Sequence, residues 1–207
     1  MIYTSDDYIN KYCDTLSYLI GRSYHERYSF DYIQKHISYS SLINELEKSN
    51  STLIAFSSME KIYSDIFKDY DNDYEFNIYD MFGWIGYTYM HLFLSLQITF
   101  EALFYLIPID EMMNLYKLYH EMDYSQILDY VKNKVEHSLL NVVMSKKEIS
   151  SKALSDKTGI SVATITALRY GKRDINKLEA HKLLLIANAL NVKMETLLPN
   201  INLIFAE

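Results

Sequence analysis

Helix-breaking residues are scarce in this chain: five glycines and two prolines among 207 residues leave few points at which a helix must stop. A hydrophobic share of 49% and an aromatic share of 14% are too high for a disordered chain. The length allows one large domain or two modest ones, and either buries enough apolar surface to fold without staples. Cys13 is a single cysteine and forms no intrachain disulfide, and no basic-then-apolar leader opens the sequence, so the expected compartment is the reducing cytoplasm. The expected fold class is all-α.

Charge divides the chain in two. Residues 1–130 hold 8 Lys and Arg against 20 Asp and Glu, a balance of −12, whereas residues 131–207 hold 12 against 7, a balance of +5. Tyrosine divides at the same place, with 19 of the 20 in the first 130 residues and only Tyr170 beyond. An AT-rich genome accounts for excess tyrosine but does not separate the charges. The division predicts an acidic, Tyr-rich helical domain over residues 1–130, for partner binding or dimerisation, and a small basic domain over residues 131–207 suited to nucleic acid.

From Ser150 the sequence reads SSKALSDKTGISVATITALRYGKRDINKLEAHKLLLIANALNVKMETLL. Ser150 or Ser151 caps a short helix that leads through Ala153, Leu154 and Lys157 to Gly159, a residue suited to the left-handed turn after a helix end. Ser161 caps a second helix with Ile165 and Leu168 on one side and Val162 in its first turn, and Gly171 ends it. Asn176 followed by Glu179 is a capping-box-like start for a third helix, with Leu178, Leu183, Leu185, Ile186, Ala189 and Leu190 supplying buried surface. Asn191 stops that helix, and a last turn carries Met194, Leu197 and Leu198. Two short helices joined by a glycine-containing turn, the second free to enter a major groove, meet the needs of a helix-turn-helix.

These residues resemble the phage-repressor (XRE, or Cro-like) helix-turn-helix family. The resemblance rests on Leu154-Ser155, Thr158-Gly159-Ile160-Ser161, Thr164-Ile165, Leu168, Gly171-Lys172-Arg173, Ile186-Ala187 and Ala189-Leu190-Asn191-Val192. It covers about residues 135–200, with Leu139, Leu140 and Val143 as the apolar face of the family's first helix. It implies a five-helix DNA-binding domain and does not extend to residues 1–130, where the scarcity of helix breakers predicts a helical N-terminal domain ahead of it. By alignment with the family, Val162, Ala163, Thr164, Thr166 and Ala167 face the bases, and Arg169 reaches a base or a phosphate. Ser151, Lys152, Tyr170, Lys172, Arg173 and Lys177 fall at phosphate-anchoring positions. No Gln, Asn or Arg sits in the first two turns of the recognition helix, so thymine methyl contacts and groove shape carry more of the specificity. The family often buries an Arg on its first helix against a Glu late in the recognition helix. Met144 and Arg169 stand there instead, a joint change that reads as a re-packed contact. The implied partner is a palindromic double-stranded operator bound by a homodimer, with the apolar tail Ile201, Leu203, Ile204 and Phe205 closing the small core or forming the dimer contact.

Residues 1–130 show helical apolar spacing over residues 8–20, 24–37 and 53–67, which predicts long helices. The acidic run 69–75 reads as a solvated loop that lacks the glycine and closing glutamate of a calcium loop. Residues 81–100 carry no formal charge, yet their polar residues and acidic flanks favour a buried central helix over a membrane span. Its core positions are Trp84, Tyr87, Leu92, Phe93, Leu96 and Phe100. Trp84-Ile85-Gly86-Tyr87 with Pro108, Met112, Tyr116 and His120-Glu121-Met122-Asp123 resembles a helical domain that accompanies toxin genes in bacterial toxin–antitoxin pairs. That resemblance implies an antitoxin that binds its toxin through residues 1–130 and represses its own operon. The alternative is a stand-alone repressor of a phage or mobile element whose N-terminal region dimerises or senses a ligand. Catalysis is the weakest reading. The histidines lack the paired spacing of a zinc hydrolase, Cys13 has no evident base, no glycine-rich phosphate loop is present, and His120 with Glu121 and Asp123 reads as a helix cap or surface pair. No catalytic residue, metal or cofactor is expected.

Overall fold

The computed structural model describes residues 6–48, 50–68, 80–135 and 137–198. Among the described residues there are helices and no strand: α1 (Asp6–His25), α2 (Phe30–Ser38), α3 (Ser41–Glu47), α4 (Thr52–Phe56), α5 (Met59–Phe67), α6 (Asp80–Leu96), α7 (Phe100–Leu106), α8 (Ile109–Tyr119), α9 (Tyr124–Asn133), α10 (Leu139–Lys146), α11 (Ser151–Thr158), α12 (Val162–Arg169) and α13 (Ala180–Leu190). Single 3-10 turns fall at Ile175–Lys177 and Met194–Leu197. The all-α expectation holds. The acidic run 69–75 and the tail residues Ile201, Leu203, Ile204 and Phe205 lie outside the described residues.

Long helices are the exception, which corrects the sequence expectation. Among the described residues only α1 and α6, of 20 and 17 residues, exceed three turns or so. The span 24–37 is cut between α1 and α2, and 53–67 between α4 and α5. The punctuation comes from hydroxyls rather than from glycine and proline. Ser29, Ser40, Ser58, Thr99, Ser138, Ser150 and Ser161 each accept a backbone N–H of the following first turn. Non-glycine residues in left-handed conformation, among them Arg27, Lys68, Gln97 and Asn191, reverse the chain at helix ends.

The largest core forms around α1 packed on α6. Tyr12, Leu16, Leu19 and Ile20 of α1 and Ile85, Tyr89, Met90 and Leu92 of α6 are fully buried. The two backbones touch at Gly86, where a Cβ would lie 2.2 Å from Ser17 Oγ and 2.5 Å from the Cys13 carbonyl oxygen. The Ser17 hydroxyl donates to that same Cys13 carbonyl at 2.7 Å, so it is satisfied inside the contact. Helices α2, α7 and α8 complete the layer around this pair. The uncharged stretch is a central helix as expected, but it ends at Leu96, and Thr99 starts α7 at Phe100. Leu92, Phe93 and Phe100 are buried, whereas Trp84 and Leu96 are half-buried and Tyr87 is exposed. Phe82, Ile85, Tyr89 and Met90 occupy the core in their place. No helix among the described residues is long and apolar enough to cross a membrane.

A second buried cluster gathers Leu140, Val143, Met144, Leu154, Ile165, Leu168, Leu183, Ile186 and Leu190. Helix α10 belongs to both clusters, because Leu139 packs into the first and Leu140 into the second. Two details of the C-terminal unit differ from the sequence expectation. Asp174, not Asn176, caps the Ile175–Lys177 turn, and α13 begins only at Ala180 after Glu179, so Leu178 is buried ahead of the helix. Leu185 is exposed rather than buried, since the core side of α13 runs through Leu183, Ile186 and Leu190.

A polar seam joins the two units. Glu101 on α7, only 7% exposed, accepts from the Tyr39 hydroxyl at 2.8 Å, the Lys193 backbone N–H at 2.9 Å and the Thr196 hydroxyl at 2.6 Å. Thr99 in turn donates to Thr196 Oγ1 at 3.3 Å. The Lys193 ammonium donates to the Ser38 carbonyl at 2.7 Å and to Asn44 Oδ1 at 3.3 Å, and pairs with Glu47 Oε2 at 3.4 Å. Burial pushes the Glu47 carboxyl above its usual range, and Lys193 opposes that rise.

The α1–α6 contact has no slack, so Gly86→Ala requires a backbone shift. It is expected to lower stability by about 3 kcal/mol, read as a fall in the urea midpoint at unchanged slope.

Candidate nucleic-acid interface

Helices α11 and α12 form the short pair that the sequence anticipates. Ser150 caps α11 by accepting the Ala153 N–H at 3.1 Å, and Gly159 ends it at φ +71°. Ser161 caps α12 by accepting the Thr164 N–H at 3.2 Å while donating to Thr164 Oγ1 at 2.9 Å. Ile165 and Leu168 are buried and pin α12 to α10 and α11. The opposite side is open: Val162 is 44% exposed, Ala163 is exposed, and Thr164, Thr166 and Ala167 are half-buried.

Exposed cations lie on the elements that precede and follow this helix in the chain. Lys152 is exposed in the first turn of α11, beside half-buried Ser151. Lys172 and Arg173 are exposed in the turn that follows α12, Lys177 is exposed in the next 3-10 turn, and Tyr170 caps the C-terminal end at 43% exposure. Lys152, Lys172, Arg173 and Lys177 form no ion pair among the described residues, so their ammonium and guanidinium groups remain available to an outside anion. The turn is tightly built. Gly171 sits at φ +67° with its Cβ position 2.9 Å from the His137 carbonyl oxygen, so both conformation and space exclude a side chain there.

Arg169 is placed differently from its neighbours. Its Nε donates to Asn141 Oδ1 at 2.8 Å, and its terminal nitrogen donates to Ser145 Oγ at 3.2 Å, which turns the guanidinium back onto α10. The Ser138 hydroxyl also donates to the Arg169 carbonyl at 2.7 Å while capping α10. The charge therefore sits on α12 and the neutral acceptors on α10, and Met144 of α10 is itself fully buried. This is the re-packed contact that the paired departures at Met144 and Arg169 implied. Sequence reasoning did not identify Ser138, Asn141 and Ser145, the three residues that complete it. Their spacing of three and four along one helix face was the available signal.

The sequence-singled residues of the N-terminal half have structural places. His120 ends α8 with Nδ1 2.7 Å from the Tyr116 carbonyl oxygen, Asp123 caps α9, and Trp84 packs edge-on to Tyr116. Cys13 is buried in the α1–α6 contact, where burial pushes its thiol up to about 12, with Asp14 adding to the rise.

Comparison with known proteins adds one positive finding. Residues 139–199 match the family model described as the Cro/C1-type HTH DNA-binding domain. The curated proteins and the solved structures give no match. The matched segment begins at the first residue of α10 and takes in every element that forms and surrounds α12.

Replacing Asn141 by Ala removes the acceptor of a charge-assisted bond whose donor remains partly open to water. The expected loss is about 1–2 kcal/mol in the unfolding of the C-terminal unit, measured by denaturant titration, and Ser138→Ala should cost a similar amount through the α10 cap.

Proposed function

With the C-terminal third a Cro/C1-type helix-turn-helix domain, we propose that this protein is a sequence-specific DNA-binding regulator of transcription that represses at a palindromic operator. The observation that carries the reading is the open side of α12 bordered by four exposed cations without ion-pair partners among the described residues. Val162, Ala163, Thr164, Thr166 and Ala167 face the base edges. Ser151, Lys152, Tyr170, Lys172, Arg173 and Lys177 grip the phosphates and set register. Arg169 acts through α10 as a positioning residue, its bonds to Asn141 and Ser145 fixing the angle of α12. Methyl groups and two threonines supply little hydrogen-bond readout, so thymine methyl contacts and groove shape dominate the choice of site.

One such unit covers a few base pairs, and recognition of a two-fold operator places two copies on half-sites about 34 Å apart. The acidic N-terminal half then serves a protein partner. Its balance of −12 suits a basic protein, and in the finer reading this is a toxin whose antitoxin is this chain, repressing its own operon. The scaffold role also fits Cys13, since a thiol pushed up to about 12 by burial is a poor nucleophile. The second reading, a stand-alone repressor with a sensing N-terminal half, is favoured by the cleft at the seam between the units.

The purified protein is expected to shift a palindromic AT-rich duplex, with affinity falling steeply as salt rises. Lys172→Ala should weaken binding evenly across sequences and reduce the salt slope by about 1, whereas Thr164→Val should alter sequence preference with the slope unchanged. Absent or salt-insensitive binding would refute the DNA reading. Co-purification of a basic protein encoded beside this gene, lost when residues 1–130 are exchanged for an unrelated helical domain, tests the antitoxin reading.

A further inference from the structure

The seam between the two units opens into a cleft of about 410 Å³, within the range of small-molecule sites. Its walls come from both units. Lys35 and Tyr39 stand at the end of α2, Tyr105 lies on α7, and Lys147 follows α10 on the C-terminal side. Tyr39 is 47% exposed and lines the cleft with the Lys193 ammonium 5.1 Å from its ring centroid, and the Lys147 ammonium lies 5.4 Å from the Tyr105 ring centroid. Neither Lys35 nor Lys147 has an ion-pair partner among the described residues. Glu101 also borders the cleft, but both of its oxygens already accept bonds from Tyr39, Thr196 and the Lys193 backbone. Asp31 contributes the other negative charge, on the exposed rim one turn before Lys35.

Two lysines without ion-pair partners, one from each unit, and two tyrosine rings make a pairing that no feature of the DNA-binding surface uses. We propose that this cleft is an effector site for a small aromatic anion, its ring against Tyr39 and Tyr105 and its carboxylate or phosphate held between Lys35 and Lys147. Cation and ring recognise complementary parts of one ligand, and the charge-assisted bonds give it orientation. Bound there, it ties α2 and α7 to α10 beside the Glu101 bonds and so sets how firmly the C-terminal unit is held. An effector that prefers one such arrangement shifts the population toward it. The regulatory consequence rests on the DNA-binding reading, whereas binding in the cleft does not.

Isothermal calorimetry on the full chain without DNA tests the site with two compounds that each join an aromatic ring to an anion, indole-3-acetate with a carboxylate and adenosine monophosphate with a phosphate. Adenosine is the uncharged control. One of the two anions is expected to bind saturably, one per chain, at millimolar concentration or below, and adenosine is expected not to bind. Lys35→Gln and Lys147→Gln should each weaken binding roughly tenfold with the fold intact by circular dichroism, and Asp31→Asn should tighten it. The Lys193 backbone N–H, which donates to Glu101, should exchange with solvent more slowly in the bound state. The proposal is overturned if neither anion binds, if adenosine binds as well as its monophosphate, or if both lysine variants bind like the wild type. A mobility-shift assay run in parallel keeps the two readings apart, since loss of DNA binding with intact calorimetric binding rejects the regulator alone.

Discussion

Hydrogen bonds to one buried carboxyl group, that of Glu101, tie the end of the C-terminal unit to the N-terminal half. Glu101 is nearly out of water, so its oxygens require donors, and they obtain them from Tyr39, Lys193 and Thr196. Two of those three belong to the turn at the end of the helix-turn-helix unit. The bonds therefore commit the Met194–Leu197 turn and its neighbour α10 to the N-terminal half, with Tyr105 packing against the same small core. Helix α12 is left with α10 and α11 as its supports and solvent on its remaining side. Removing one partner of such a cluster leaves a buried charge or donor without compensation, which is why buried polar sets act as a unit.

The N-terminal half can present that carboxylate because its own core is tightly held. Gly86 lets α6 lie against the α1 backbone at a distance no other residue permits, and the short helices wrap around this pair. Four hydroxyl caps, Ser29, Ser40, Ser58 and Thr99, restart those helices without breaking the apolar surface, so one compact layer is assembled from many pieces. Glu111 shows how the outer elements are tied on. Burial would raise its carboxyl, but hydrogen bonds from Lys134 and Tyr130 and the charges of Lys134 and Lys146 outweigh that and hold it below its usual range. That contribution is present above the ordinary carboxylate range and is lost as pH falls through the lowered folded value.

Arg169 illustrates how a surface for DNA is shaped by contacts behind it. Its guanidinium would be a strong reader of guanine if it projected from α12, yet Asn141 and Ser145 draw it onto α10. The helix thereby gains a rigid brace and loses a hydrogen-bonding reader. What remains on the open side is methyl-bearing and small, flanked by cations whose interaction with phosphate is long in range and indifferent to sequence. Under the proposed function, affinity and specificity then fall to different residues of one small unit.

Local chemistry was legible in the sequence. Caps at Ser150 and Ser161, left-handed turns at Gly159 and Asn191, and the spacing of Ile165, Leu168, Ile186 and Leu190 sufficed to set out the helix-turn-helix unit, because each depends on residues within a turn or two of one another. Charge balance likewise separated an acidic half from a basic one without coordinates. Helix lengths in the first half are harder to read because serine caps are weaker signals than glycine or proline, and the exposure of Tyr87 and Leu185 is not legible because an apolar stripe does not say which of its edges meets a neighbour. The seam was out of reach altogether. Glu101 and Lys193 are 92 residues apart, and only the folding of α7 against the final turn brings donor and acceptor together. Short-range spacing determined the elements, and burial across long separations decided which faces they offer to solvent.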